Sequence, residues 1–168
     1  MHTIKNIIFD LGNVLLDIDY NKTIHAFEQL GFQNFKASYS PEKMGPVFED
    51  IETGKISEEE LYAVIQSVSK TPVSSHQIRD AWNALLLDFR VESLEYLKKL
   101  PAKYTIYLLS NTNSIHLTAF NKIMERDGQN RTLDSYFTKA YYSNIIGLRK
   151  PCRECYEFVL GDAGIKAE

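Results

Sequence analysis

Residues Ile4 to Asp19, I-K-N-I-I-F-D-L-G-N-V-L-L-D-I-D, constrain this chain more than any other stretch. Ile4, Ile7, Ile8 and Phe9 form a nearly continuous apolar run of strand length. That is the pattern of a strand buried on both faces of a parallel sheet, not of a half-wet hairpin strand. The run delivers Asp10 to the carboxyl end of the strand, the edge at which open α/β sheets bind ligands. Gly12 permits a sharp turn and a close backbone approach, and the amides from Leu11 to Asn13 could form a small anion-holding concavity. An aspartate placed there can attack an electrophile or hold a cation. A strand-end Asp followed by Gly is also an ordinary turn signal, so the rest of the chain has to decide between the two.

At 168 residues the chain can bury a sizeable core in one domain, or in one domain with a large insertion. Its 44% hydrophobic content and net charge of -3 exclude both a disordered composition and the basic surplus of a nucleic-acid binder. No apolar run approaches membrane-spanning length, and the amino terminus lacks the sections of a signal peptide. The expected partners therefore include neither nucleic acid nor membrane, and the expected compartment is the cytoplasm. Cys152 and Cys155 form a lone C-x-x-C without the further ligands a zinc site needs, and they read as packing residues.

After the first strand the apolar spacing turns helical. Ile24, Phe27 and Leu30 lie a turn apart, with Asp19 or Asn21 to cap the start and Gly31 to close the end. A second helix is expected over Pro41 to Thr53. A third starts at the capping box Ser57 to Glu60, a fourth covers about Ser75 to Leu87 and a fifth Val91 to Leu100. This reads as a helical cap inserted between the first strand and the rest of a sheet. The sheet resumes at Tyr104 to Leu109 and ends in Ser110-Asn111-Thr112. A helix over Asn113 to Met124, a polar loop through Gly128, Gln129, Asn130 and Arg131, and a third strand over Phe137 to Tyr142 follow. The loop from Ser143 to Lys150 leads through Pro151 into a last helix. Alternating strands and helices argue for right-handed βαβ units in a parallel sheet.

Three strand ends then carry polar groups on one edge: Asp10, Ser110 with Asn111, and Lys150 shortly after the third strand. A carboxylate nucleophile, a hydroxyl and amide pair and a lysine suit phosphoryl transfer. The aspartate attacks phosphorus, and the donors neutralise the equatorial oxygens. The ordered segments F-D-L-G-N-V, L-L-S-N-T-N and G-L-R-K-P resemble motifs one, two and three of the haloacid dehalogenase (HAD) superfamily, most of whose members are phosphatases. The segment F-E-D-I-E-T-G-K-I-S-E-E-E-L resembles part of that family's helical cap.

The resemblance implies a Rossmann-like parallel sheet with an inserted all-helical cap. It places the core at 1–16 and 91–168 and the cap at 17–90. Asp10 would be nucleophile and Mg²⁺ ligand, and the Gly12 carbonyl a second ligand. Leu11, Gly12, Ser110 and Asn111 would bind phosphate, and Lys150 would position phosphate and nucleophile. The implied substrate is a small phosphorylated metabolite, and the D-L-G-N-V form resembles a subgroup that includes sugar-phosphate phosphatases.

Two departures from the family pattern modify these expectations. Gly12 stands where most of the family's phosphatases carry a second aspartate as general acid and base. That favours substrates with a good leaving group, such as sugar 1-phosphates, and leaves Asp17, Asp19 and His116 as candidate replacements. No stretch up to Glu168 matches the family's fourth strand and its acidic pair. In the family's strand order, 3-2-1-4-5, that leaves the first strand as a bare edge through which a homo-oligomer could form. Two other readings stand beside the phosphatase: carbon-halogen hydrolysis by the same aspartate, and a truncated or degenerate, non-catalytic member of the family.

Overall fold

The computed structural model describes residues 4–33, 35, 45–127 and 131–167. The expected helix start at Pro41, the loop residues Gly128, Gln129 and Asn130, and Glu168 lie outside the described residues. In chain order the elements are β1 (Asn6–Phe9), β2 (Leu16–Ile18), α1 (Tyr20–Gln29), α2 (Pro46–Glu52), α3 (Glu58–Ser67) and α4 (Ser75–Asn83). They continue with β3 (Leu86–Phe89), α5 (Val91–Leu97), β4 (Thr105–Ser110), α6 (Ser114–Arg126), β5 (Lys139–Tyr142), the single turn α7 (Ser143–Ile146) and α8 (Arg153–Ala163).

The main sheet is parallel, in the order β1-β4-β5. Asn6 to Phe9 pair with Thr105 to Leu108, and Tyr107 to Ser110 pair with Lys139 to Tyr142. The central strand β4 is the one buried on both faces. Ile106 and Leu108 join the cluster under α5 and α6, with Leu94, Leu97 and Phe120. Tyr107 and Leu109 point the other way, onto Cys155 and Val159 of α8. This alternation of period two gives three layers. It also assigns Cys155 to packing, as expected, whereas Cys152, expected to pack as well, is exposed before the start of α8.

β1 departs from the expectation of burial on both faces: Ile8 is 36% exposed and the other three residues are half-buried. The reason is topological. Among the described residues β1 has β4 on one side and no strand on the other.

The cap has its own core, in which Phe27, Phe48, Ile51, Leu61, Ile78 and Trp82 are all buried. Local sequence sets most of its helix starts. Asp19 accepts a hydrogen bond from the Asn21 amide, and both reciprocal bonds of a capping box form at Ser57/Glu60 and at Ser74/Gln77.

Three elements were not foreseen: the strands β2 and β3, and the single turn α7 where a loop was expected. The fourth helix ends at Asn83, and Leu86 to Phe89 form a strand antiparallel to β2. Ile18 and Leu86 pack against both the sheet core and the cap core, so this two-stranded ribbon carries the chain into the cap and back out.

Candidate active site

The carboxyl ends of β1 and β4 finish on the same edge of the sheet, and the loop after β5 returns to it. Lys150 Nζ lies 2.7 Å from Asp10 Oδ1. The Asp10 side chain is half exposed and the lysine mostly buried, so the carboxylate faces the opening and the cation supports it from behind.

The lysine is held by Asn111. The Asn111 carboxamide donates to the Lys150 carbonyl and accepts from the Lys150 amide, both at 2.8 Å. Asn111 therefore spends its side chain on fixing the motif-three loop, whereas the sequence assigned it to phosphate. Ser110 is buried at the end of β4 beside it, and Thr112 and Ser143 exchange hydrogen bonds of 2.9 and 3.0 Å that tie the ends of β4 and β5 together.

The turn after β1 also differs in detail from expectation. Asn13, not Gly12, adopts the left-handed conformation, with φ 57°, and its side chain accepts from the Ile18 amide. Asn is one of the few residues that tolerates this conformation. The expected concavity of amides is partly closed. The Leu11 amide donates to Asp10 Oδ1 at 2.7 Å, and the Asn13 amide donates to the Leu16 carbonyl. A Cβ at Gly12 would meet Ile18 Cδ1 at 2.8 Å, so a larger residue there would displace the end of that side chain.

The three candidate acid-base groups are engaged elsewhere. Asp17 pairs with Arg90 at 2.6 Å on the ribbon, and Asp19 caps α1. His116 belongs to the seam between cap and core. Its ring stacks on Trp82, with centroids 5.6 Å apart, and its Nε2 lies 3.1 Å from the Trp82 carbonyl. Its Nδ1 lies 3.1 Å from the Asn113 carboxamide nitrogen, and the carboxamide oxygen accepts from the His116 amide. That arrangement assigns the proton to Nε2 and commits both ring nitrogens. Burial holds the imidazole pKa down at about 4, against a smaller upward pull from the Trp82 carbonyl. A neutral, doubly hydrogen-bonded ring is a structural joint, not a proton carrier at neutral pH.

Sequence reasoning passed over Glu52 and Arg149. Glu52, at the end of cap helix α2, lies 3.1 Å from Arg149 Nε in the loop that presents Lys150, and both side chains are mostly buried. Burial raises the Glu52 pKa and Arg149 lowers it. The Tyr20 hydroxyl sits in the same field: burial raises its pKa first, then the charges of Glu52 and Asp10. The signal available in the sequence was the pairing of E-T-G in the cap segment with the R-K of the third motif, which only the fold brings together.

A cleft between cap and core is lined by Gly12, Tyr20, Glu52, Trp82, Ser110 and Asn111, and encloses about 60 Å³. That is far below the roughly 300 Å³ of an ordinary ligand pocket.

No family model matches the chain. A solved HAD family enzyme from Bacteroides thetaiotaomicron, a variant in complex with magnesium and inorganic phosphate, is 35% identical, with a TM-score of 0.88 over 98% of this chain and 81% of that one. The chain belongs to the HAD superfamily. A HAD-like hydrolase from Porphyromonas gingivalis is similar at 31% identity and a TM-score of 0.86, over 97% of this chain and 78% of that one. A D-ribitol-5-phosphate phosphatase of B. thetaiotaomicron is 29% identical over 162 residues, which are 96% of this chain and 78% of that protein.

The family implies magnesium, and the donors on this sheet edge fit it. The Asp10 carboxylate and the Gly12 carbonyl are hard oxygens, and Mg²⁺ characteristically takes one or two carboxylates, substrate phosphate and several waters. Among the described residues no group of three or more His, Cys, Asp and Glu forms a metal cage.

Proposed function

We propose that this HAD superfamily chain is a magnesium-dependent phosphatase acting on a small sugar or polyol phosphate, with Asp10 as nucleophile. The observation that carries this reading is the Asp10–Lys150 pair, at 2.7 Å, on the sheet edge where Ser110 also ends. The similarity to a D-ribitol-5-phosphate phosphatase and to a HAD enzyme in complex with magnesium and phosphate supports it.

In the proposed reaction an Asp10 oxygen attacks phosphorus as the phosphorus–ester oxygen bond breaks, and the departing oxygen takes a proton from solvent water; a water oxygen then attacks the aspartyl-phosphate and gives up its proton to solvent, which frees phosphate and restores the carboxylate. Lys150 offsets the repulsion between the anionic nucleophile and the anionic ester, and Ser110 donates to a phosphoryl oxygen. Asn111 acts by holding Lys150 in place. Asp10 and the Gly12 carbonyl would hold magnesium, which would supply charge neutralisation at the phosphoryl group. We further propose that the core is 1–16 and 91–168 and the cap 17–90, so that substrate is enclosed between them.

The test is release of phosphate from D-ribitol 5-phosphate by the 168-residue protein, with magnesium and with chelator. Asp10→Asn is expected to remove turnover by roughly 10³-fold or more and Lys150→Ala by about 10²-fold. Turnover that survives Asp10→Asn would remove the aspartate from the chemistry.

A further inference from the structure

Glu52 is an unusual group to find beside a phosphate site. Its side chain is only 16% exposed, it sits on the cap, and it lines the same cleft as Ser110 and Asn111. Its Oε2 lies 3.1 Å from Arg149 Nε, and among the described residues no second donor meets the carboxylate, which can accept about four hydrogen bonds. Burying a carboxylate is costly unless its lone pairs are satisfied, so a charge pair that serves only as a latch would be expected to use them fully. A carboxylate repels phosphate and accepts hydrogen bonds only, so the ligand atoms it suits are hydroxyl donors. Tyr20 lines the same cleft.

We propose that Glu52 is the residue that reads the substrate's carbon chain: its carboxylate accepts hydrogen bonds from hydroxyls of a phosphate monoester whose phosphate lies at Asp10, Ser110 and Lys150. The inference rests on the phosphatase reading for the place of the phosphate and goes beyond it by assigning specificity to one cap residue. The substrate class is a polyhydroxylated phosphate monoester, and an ester without hydroxyls is disfavoured because it leaves the carboxylate's remaining acceptor sites unused. Sites built to hydrogen-bond a hydroxyl reject analogues lacking it for this reason. Because Glu52 rides on α2 and the phosphate groups ride on the sheet, the contact forms only when the cap closes.

The experiment is calorimetric titration of the protein in magnesium-free buffer with D-ribitol 5-phosphate and with phenyl phosphate. The proteins compared are the wild type, Glu52→Ala, Glu52→Gln and Arg149→Ala. Glu52→Ala is expected to weaken D-ribitol 5-phosphate at least about 10-fold and phenyl phosphate less than about 2-fold. Glu52→Gln, which keeps shape and one acceptor oxygen, should fall between, and Arg149→Ala should shift both ligands by the same factor. Equal losses for both ligands in Glu52→Ala would reduce the residue to a cap latch and overturn the proposal. So would an unchanged affinity for D-ribitol 5-phosphate, or a wild-type protein that does not prefer it to phenyl phosphate. The phosphatase reading fails separately, by absence of Asp10-dependent turnover while the binding preference persists.

Discussion

His116 shows how one residue joins two parts of the molecule. Its ring accepts from Asn113 at Nδ1 and donates to the Trp82 carbonyl from Nε2, so protonating Nδ1 would set two donors against each other. Burial adds to that penalty, and the pKa falls from 6.5 to about 4. An unfolded chain therefore binds a proton between about pH 6.5 and 4 that the folded chain does not. Stability is full above that window and falls as the pH drops through it, by on the order of 3 kcal/mol. Urea unfolding at pH 7 and pH 4.5 should show this loss in the wild type and a smaller loss in His116→Gln. An identical pH dependence in the two proteins would contradict the assignment. At the same scale Asp17 and Asp19 were reasonable candidates from sequence, being carboxylates close behind Asp10. A ribbon salt bridge and a helix cap claim them instead, because β2 turns the chain away from the sheet edge.

At the scale of elements, the seam between α2 and the loop after β5 carries the cap's position. Gly54, just past α2, has φ +68°, and a Cβ there would lie 2.3 Å from the Asn144 carbonyl oxygen. Backbone offers no flexible end to give way. Gly54→Ala is therefore expected to cost roughly 1–3 kcal/mol, from the left-handed conformation and from the seam being forced apart. Denaturant unfolding would measure it, and a change within about 0.5 kcal/mol would show that the contact is dispensable. The helix starts of the cap follow from short-range chemistry, and three of them were readable: Asp19, the Ser57 box and the start of α4 at Ser75. The strand β3 was not. Leu85 to Phe89 fit either a helix end or a strand by their spacing, and pairing with β2, nearly 70 positions earlier, settles which.

For the whole molecule, the open side of β1 is the conspicuous surface. Ile4 is 66% exposed, and with Ile8, Tyr156, Leu160 and Ile165 it borders a groove of about 830 Å³ between the strand and α8. An apolar strand edge is a template for pairing. No helix among the described residues is long and apolar enough to cross a membrane. The chain's order of motifs determined by itself that a carboxylate, a hydroxyl and a lysine would end parallel strands on one edge, since strand ends and Gly, Pro and capping signals are local properties. It also pointed to the inserted cap, because four helical periodicities stand between the first strand and the helix that leads into the second strand of the sheet. Only the tertiary structure decided which of those polar groups stand open on the sheet edge and which brace one another. Asn111 holds Lys150, His116 holds Trp82, and Glu52 meets Arg149 across nearly a hundred residues. Such contacts are set by how the cap packs on the sheet, and the packing depends on the volumes and directions of many side chains at once, which no local pattern records.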